Sequence, residues 1–319
     1  MISPKLVEVG RHINIDLLTN SELVELKGEP GNFTAVVRKT PRFVDLAKCT
    51  SCGECAKVCP IETANDYDEG LSRRKAIFKQ YAQAMPGAFS IDKRGTAPCK
   101  ATCPAHVSVQ GYIALINAGK YQEALDLFRE DHPFPGVCGR VCHHPCEKMC
   151  TRNDVDQPLA IRELHRFLFD WERRQGEPVT PPVVEELRTE KVAVIGSGPA
   201  GLAAAYSLAR RGYPVTVFEK LPVAGGMMAV GIPAYRLPRD VLNLEIEVVR
   251  RVGVEIKTGV TFGQDITLES LKRDGFKAVF LAIGLHGGRR LGVENEDAPG
   301  VLQGVDFLRD AALGKKVEI

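Results

Sequence analysis

The sequence predicts a multidomain protein in which α+β modules are joined to an α/β module. Three observations predict it. All ten cysteines lie between Cys49 and Cys150, and none follows. Residues 99–175 carry apolar residues at helical spacing. After the Pro-rich stretch "GEPVTPP", residues 176–182, the pattern becomes strand, glycine loop, helix, strand. A chain of 319 residues has room for two or three domains at about 100–200 residues each. Its 26% charged and 44% hydrophobic residues are those of an ordinary globular protein.

A formal net charge of +2 argues for neither nucleic acid nor a membrane surface. No apolar run reaches the roughly 20 residues of a membrane span, and Met1 is followed by no signal-peptide pattern. A cytoplasmic protein is expected. In that setting, clustered cysteines point to metal binding or redox chemistry rather than to a disulfide framework.

Taken in order, residues 1–47 read as β-rich. "NIDLLT", "SELVEL" and "NFTAVVR" are β-prone, and "KGEPGN" is a turn signal. Residues 48–98 hold the first cysteine cluster and a polar connector. Residues 99–175 form a helical domain whose helices are expected at "SVQGYIALINAGK", "YQEALDLFRED" and "AIRELHRFLFDWERR". A linker, 176–189, precedes a nucleotide-binding domain at 190–319.

The first cluster is Cys49-x2-Cys52-x2-Cys55-x3-Cys59-Pro60, the run that holds 4Fe–4S clusters in bacterial ferredoxins. Two-residue gaps let the loop curl so that successive thiolates converge, while intervening N–H groups face the sulfides. Cys59 either completes this cluster or ligates another, as fourth cysteines do in two-cluster ferredoxins. Zinc is the alternative, but it usually takes two C-x2-C pairs across a longer spacer.

The second set is Cys99 and Cys103, then Cys138, Cys142, Cys146 and Cys150 at four-residue steps. Six thiols exceed one tetrahedral site. A single free cysteine is often core packing, but six clustered ones point to ligation.

In the C-terminal part, the strand Val192–Ile195 leads into Gly196-x-Gly198-x-x-Gly201, an alanine-rich helix and the strand Val215–Phe218. Glu219 stands where an acid binds a ribose hydroxyl. The helix N-terminus offers its dipole to phosphates. An acid at that place repels a 2′-phosphate, so NADP is disfavoured at this loop. Met227 and Met228 read as core, and Arg289 and Arg290 as a solvated pair.

"FPGVCGRVCHHPCEKMC" followed by "PLAIRELHRF" resembles the helical iron–sulfur domain of the glutamate synthase small-subunit family, shared with dihydropyrimidine dehydrogenase. The resemblance implies 4Fe–4S ligation by Cys99, Cys103, Cys142, Cys146 and Cys150. It also implies a non-cysteine ligand at His165 or, second, Glu163. The family has two further cysteines before the equivalent of Cys99, where "SIDKRGTAP" has none. Either Cys138 substitutes or one of the two clusters is missing. "GSGPAGLAAA" and "FEKLPVAGGMMAVGIPAYRLPRDV" resemble the flavin domain of the same family. FAD is then implied along Gly196, Ser197, Gly198, Pro199, Ala200, Gly201, Glu219, Lys220, Gly226, Arg236 and Val260. "AVFLAIG" resembles the strand that returns beneath the cofactor.

Residues 2–92 resemble the A subunit of heterodisulfide reductase, which joins a flavin domain to a ferredoxin-type cluster. The combined resemblance implies a fusion fragment comprising a ferredoxin-like 4Fe–4S segment, a helical Fe–S domain and an incomplete Rossmann-like FAD-binding domain. The expected function is electron transfer between FAD and two or three 4Fe–4S clusters. NAD(P)H would enter only through a domain beyond Ile319. Redox partner subunits of a heterodisulfide reductase-like or glutamate synthase-like complex are implied. A glutamate synthase small subunit feeding an amidotransferase, and a non-catalytic zinc scaffold, are the alternatives.

Overall fold

The computed structural model describes residues 3–176 and 186–316. Most of the expected linker falls outside them. The chain divides into two compact units, one of residues 1–96 with 151–158, the other of 97–150 with 159–319.

The first unit opens with helix α1 (Ser3–Arg11) and the hairpin β1 (Ser21–Glu29) and β2 (Asn32–Lys39). Pro30 and Gly31 make the turn, since Glu29 pairs with Asn32. Two of the three expected β-prone runs are thus strands. "NIDLLT" is irregular, and the residues before it are a helix rather than a strand. The helical segment offers the apolar spacing Leu6, Val7, Val9 and no cross-strand partner. One helical turn, α2 (Glu54–Lys57), lies inside the cysteine run. The short strands β3 (Glu62–Ala64) and β4 (Arg73–Lys75) pair with each other, as do β5 (Ile77–Phe78) and β6 (Ser90–Ile91).

The second unit begins with six helices: α3 (Pro98–Thr102), α4 (Val109–Asn117), α5 (Tyr121–Asp131), α6 (Pro135–Val141), α7 (Pro145–Lys148) and α8 (Ile161–Gln175). Three start with proline in the first turn, where its missing N–H has no intrahelical partner to lose. Next come β7 (Lys191–Ile195), α9 (Pro199–Arg210), β8 (Val215–Glu219), α10 (Met227–Val230), α11 (Arg239–Arg251) and β9 (Glu255–Thr258). The unit ends with α12 (Leu268–Arg273), β10 (Phe276–Leu281) and α13 (Gly304–Ala312).

The sheet order is β10-β7-β8-β9, all parallel. The interior strand β7 is Val192, Ala193, Val194, Ile195, all buried, the near-continuous apolar run of a strand covered on both faces. Apolar residues of α9 and α11 close the main core, among them Leu202, Ala205, Val241, Leu242 and Val249. Phe134, Val137 and Phe169 of the helical region belong to that same core. The two modules expected on either side of the linker therefore share an interior. A second core, built on Tyr112, Leu125, Phe128, Ile161 and Leu168, lies within the helical region.

Candidate functional site

The dinucleotide loop is built by steric exclusion. Gly196 has φ 106°, open to glycine and costly for other residues. A Cβ there would strike the carbonyl oxygen of Ala282, and one at Gly201 would strike that of Gly196. A Cβ at Gly226 would sit 2.7 Å from Gly198 Cα. Only bare backbone lets these segments approach so closely.

Glu219 ends β8 and is 5% exposed. Its Oε2 accepts from Ser197 N at 2.8 Å and from Ser197 Oγ at 2.6 Å. Its Oε1 accepts from Leu221 N at 2.8 Å. A carboxylate has about four acceptor positions. Three are filled, and the one left on Oε1 suits a ribose hydroxyl. Ser197 is buried beneath the loop and ties Glu219 to Gly225, whose N–H donates to Ser197 Oγ at 3.1 Å.

A cavity of about 720 Å³ opens over this loop. Of the expected residues, Gly196, Gly198, Pro199, Ala200, Glu219, Lys220, Gly226 and Val260 line it. Ser197 and Gly201 support it from below. Arg236 does not line it: the backbone turns at Pro233–Arg236, and its side chain is exposed. The nearby Arg239 instead donates to the carbonyls of Met228 and Ile232, each at 2.8 Å. Met227, His286 and Arg309 also line the cavity. None of the three lies in the glycine fingerprint, and topology alone brings them there.

The ferredoxin-type run is an open loop. Ser51 and Gly53 take left-handed conformations, φ 62° and 85°, which fold the loop back at each two-residue gap. Cys52 is exposed, and Cys49, Cys55 and Cys59 are half-buried. The backbone N–H of Glu54, aided by Thr50, holds the Cys52 thiol below its usual range. Such N–H···S contacts favour a thiolate, and so the loop suits a cluster.

In the helical region the thiols act on one another. Burial, and after it the neighbouring Cys150 and Cys103, push the Cys99 thiol up. Cys146 interacts with Cys103 and Cys142. Helix α3, which carries Cys99 and ends at Cys103, packs on α7, which carries Cys146. All ten cysteines are free thiols. Burial pushes the Cys146 thiol up to about 11, a cost that coordination to a cation would offset. The N–H of His144 donates to Cys142 Sγ at 3.3 Å.

His165 lies in the buried stripe of α8 with Ile161, Leu168, Phe169 and Glu172. It is 7% exposed, and neither ring nitrogen has a hydrogen-bond partner. Burial lowers it to about 3, so the ring is neutral. A neutral, buried, unpartnered imidazole is what a metal ligand requires. Glu163 is exposed and pairs with Arg162 at 3.0 Å, so of the two expected positions His165 fits. His143 is exposed, and His144 is tied to Arg162 and Cys142 O. Among the described residues no three such side chains close around a single ion. A 4Fe–4S cube spreads its ligands over separate irons, which is a wider arrangement.

Burial pushes the Cys138 thiol up, with Glu245, Cys142 and Cys103 acting on it as well. Phe134 N donates to His132 Nδ1 at 3.0 Å, so the neutral ring carries its proton on Nε2, 3.5 Å from Cys138 Sγ. Buried Glu245 of α11 accepts from the N–H groups of Gly136 and, at 2.9 Å, of Val137. It thereby anchors α6 to the nucleotide-binding module. Arg129 and Glu172 form a buried two-bond ion pair at 2.7 and 2.8 Å. Sequence reading missed Glu245, Arg129 and Glu172. The signal was present: each is a charged residue inside an apolar helical stripe.

Comparison with known proteins gives three family matches. Residues 79–177 match the family described as dihydropyrimidine dehydrogenase domain II, 4Fe-4S cluster. Residues 194–243 match the NAD(P)-binding Rossmann-like domain, and 42–63 the 4Fe-4S binding domain. The NADP(+)-dependent formate dehydrogenase subunit beta of Moorella thermoacetica is 48% identical over 260 residues, 74% of this chain and 37% of that protein. The NADPH-Fe(3+) oxidoreductase subunit beta of Geobacter sulfurreducens is 46% identical over 232 residues, 70% of this chain and 34% of that protein. The glutamate synthase [NADPH] small chain of Escherichia coli is 37% identical over 269 residues, 84% of this chain and 55% of that protein. The chain thus spans about a third to a half of the length of these curated relatives. No described helix is long and apolar enough to cross a membrane. The similarity is to glutamate synthase-like iron–sulfur oxidoreductase subunits, and it does not single out the A subunit of heterodisulfide reductase.

Proposed function

We propose that the chain is the electron-transfer part of an FAD- and iron–sulfur-dependent oxidoreductase, exchanging electrons between a flavin and 4Fe–4S clusters. The observation that carries it is a single compact unit containing both a dinucleotide cleft and a buried thiol set with an unpartnered imidazole. The cofactors supply the hydride and one-electron chemistry, and the protein positions them and tunes their potentials. Glu219 offers one acceptor to an unphosphorylated ribose. The N-terminus of α9 faces the pyrophosphate position, and the bare backbone of Gly198 and Gly226 permits close approach. Cys103, Cys142, Cys146 and His165 hold one cluster in the helical region, and Cys49, Cys52, Cys55 and Cys59 hold another. Cys99 and Cys150 remain for a third.

The resemblance of residues 2–92 to the heterodisulfide reductase A subunit forms part of this proposal, with redox partner subunits on that side. A second reading makes the protein a glutamate synthase-type small chain that passes NADPH electrons to an amidotransferase partner. The 84% coverage of this chain by the Escherichia coli small chain favours it. Anaerobic purification followed by iron, acid-labile sulfide and flavin assays tests the first reading: zinc without sulfide sinks it. Co-purification with a large synthase subunit decides for the second.

A further inference from the structure

Lys79 reaches the ferredoxin-type loop from outside it. It follows β5, which packs on the helical turn α2 inside the loop. Its ammonium donates to Ser51 Oγ at 2.6 Å and to the carbonyl of Ala82 at 3.1 Å. It also lies over the Phe89 ring, 5.9 Å from the centroid, where the face of the ring attracts a cation. Phe89 is buried, and the tip of its ring lies 3.8 Å from the place that a Cβ on Gly53 would take. Lysine and ring together brace the loop at Ser51 and at Gly53.

Ser51 is the residue that needs holding. It takes φ 62° without being glycine, a conformation that serine seldom adopts. It stands immediately before Cys52, in the turn between Cys49 and Cys52. A donor fixed on its Oγ from β5 holds that turn from across the fold.

The charge matters as much as the contact. At the run and its start, Lys48 pairs with Asp45 and Lys57 pairs with Glu54, so these charges cancel. Both hydrogen-bond acceptors of Lys79 are neutral oxygens, which leave its positive charge uncancelled. A lysine ammonium is a compact point charge. Adjacent Cα atoms are about 3.8 Å apart, so Ser51 brings that charge within the roughly 10 Å Debye length at 0.1 M salt.

We propose that Lys79 is a positioning residue for the loop cluster, its ammonium pinning Ser51 in the left-handed turn and holding a positive charge beside the thiolates. This rests on the reading that Cys49, Cys52, Cys55 and Cys59 hold a 4Fe–4S cluster. Such a cluster gains negative charge on reduction, so a fixed cation stabilises its reduced state and raises its potential. Lys79 itself makes and breaks no bond.

The test uses the full chain, reconstituted anaerobically and titrated electrochemically under electron paramagnetic resonance. The signal that Cys52→Ser removes is the loop cluster's. If that variant removes none, the cluster reading and the proposal fall together. Lys79→Met is expected to keep this signal with its midpoint moved negative. Lys79→Arg, which retains charge and donors, should stay near the parent. If Lys79→Met loses the signal, adding Ser51→Gly decides, because glycine takes the left-handed turn without help. The double variant should regain the cluster, with a midpoint negative of Ser51→Gly alone. Three results would overturn the role of Lys79 and leave the cluster reading intact. They are a cluster present in Lys79→Met at an unchanged midpoint, an arginine variant shifted as far as the methionine one, and a double variant still without the cluster.

Discussion

The two cysteine-rich regions solve the same chemical problem in opposite ways. The run at 49–59 is a local loop. Its thiols are exposed or half-buried, and backbone N–H groups ease ionisation of Cys52. The set at 99–150 is assembled by packing α3 against α7 beside a closed aromatic core. There burial works against ionisation, and Cys146 is pushed up to about 11. The difference teaches what sets each site's energetics. A loop site takes its stability from short-range backbone geometry, whereas the helical site takes it from the fold of the whole unit. The helical site should therefore be the one that fails when distant packing is disturbed.

The severest way to break the comparison is at Gly139. A Cβ there would lie 2.6–2.8 Å from the backbone N and Cα and the Cβ of Arg166. Neither backbone can yield without separating α6 from α8. Gly139→Val should cost more than the roughly 1–3 kcal/mol of ordinary overpacking. Chemical denaturation should show it, with iron lost from the helical region and retained in the loop. Equal loss from both would show that the two sites are not independent.

Next is Glu245→Ala. It strands the N–H groups of Gly136 and Val137, at about 1–3 kcal/mol for each buried donor left unpaired. A denaturation midpoint within error of wild type would mean that water replaces the carboxylate at no cost.

Acid should also separate the two regions. Burial lowers His132 to about 4, and the neutral ring accepts from Phe134 N. Between pH 6.5 and about 4 the unfolded chain binds a proton that the folded ring does not. Stability from this group is thus full above about pH 6.5 and lost as pH falls through that window. The difference amounts to about 3 kcal/mol at most by linkage. His132→Asn, which keeps an acceptor for Phe134 N, should flatten the acid limb of thermal stability; an unchanged limb would show that His132 is not its source.

Cys52→Ser gives a smaller effect on the protein as a whole. It should remove the loop cluster while flavin content and the melting of the second unit stay as they were. Iron and sulfide unchanged after reconstitution would disprove the ligand assignment. The smallest effect is expected for Lys57→Ala, which removes an exposed ion pair with Glu54 at 2.6 Å. Exposed pairs of this kind are worth little, and neither cluster content nor melting should move.

The legibility of these regions in sequence follows from range. The ferredoxin-type run, the glycine loop with Glu219, and the helices α4, α5 and α8 are local patterns, and the structure has each of them where spacing predicts. "NIDLLT" misled because β propensity depends on a partner strand, and that stretch has none. The family resemblance implies Arg236 at the cleft, and the turn at Pro233–Arg236 leaves its side chain exposed.

By itself, then, the sequence determined the chemistry available: ten thiols, one glycine fingerprint, an acid after its second strand, and the helices that carry them. These depend on residues within one loop or one helical turn of each other, where spacing dictates geometry. Tertiary structure alone decided which thiols share a neighbourhood, that His165 rather than Glu163 is buried, and that Glu245 binds α6 from more than 100 residues away. It also decided that Phe134 and Val137 share an interior with the nucleotide-binding sheet. The reason is that burial and long-range contact depend on which helix faces meet. A single helix encodes which of its sides is apolar, but not what that side is packed against.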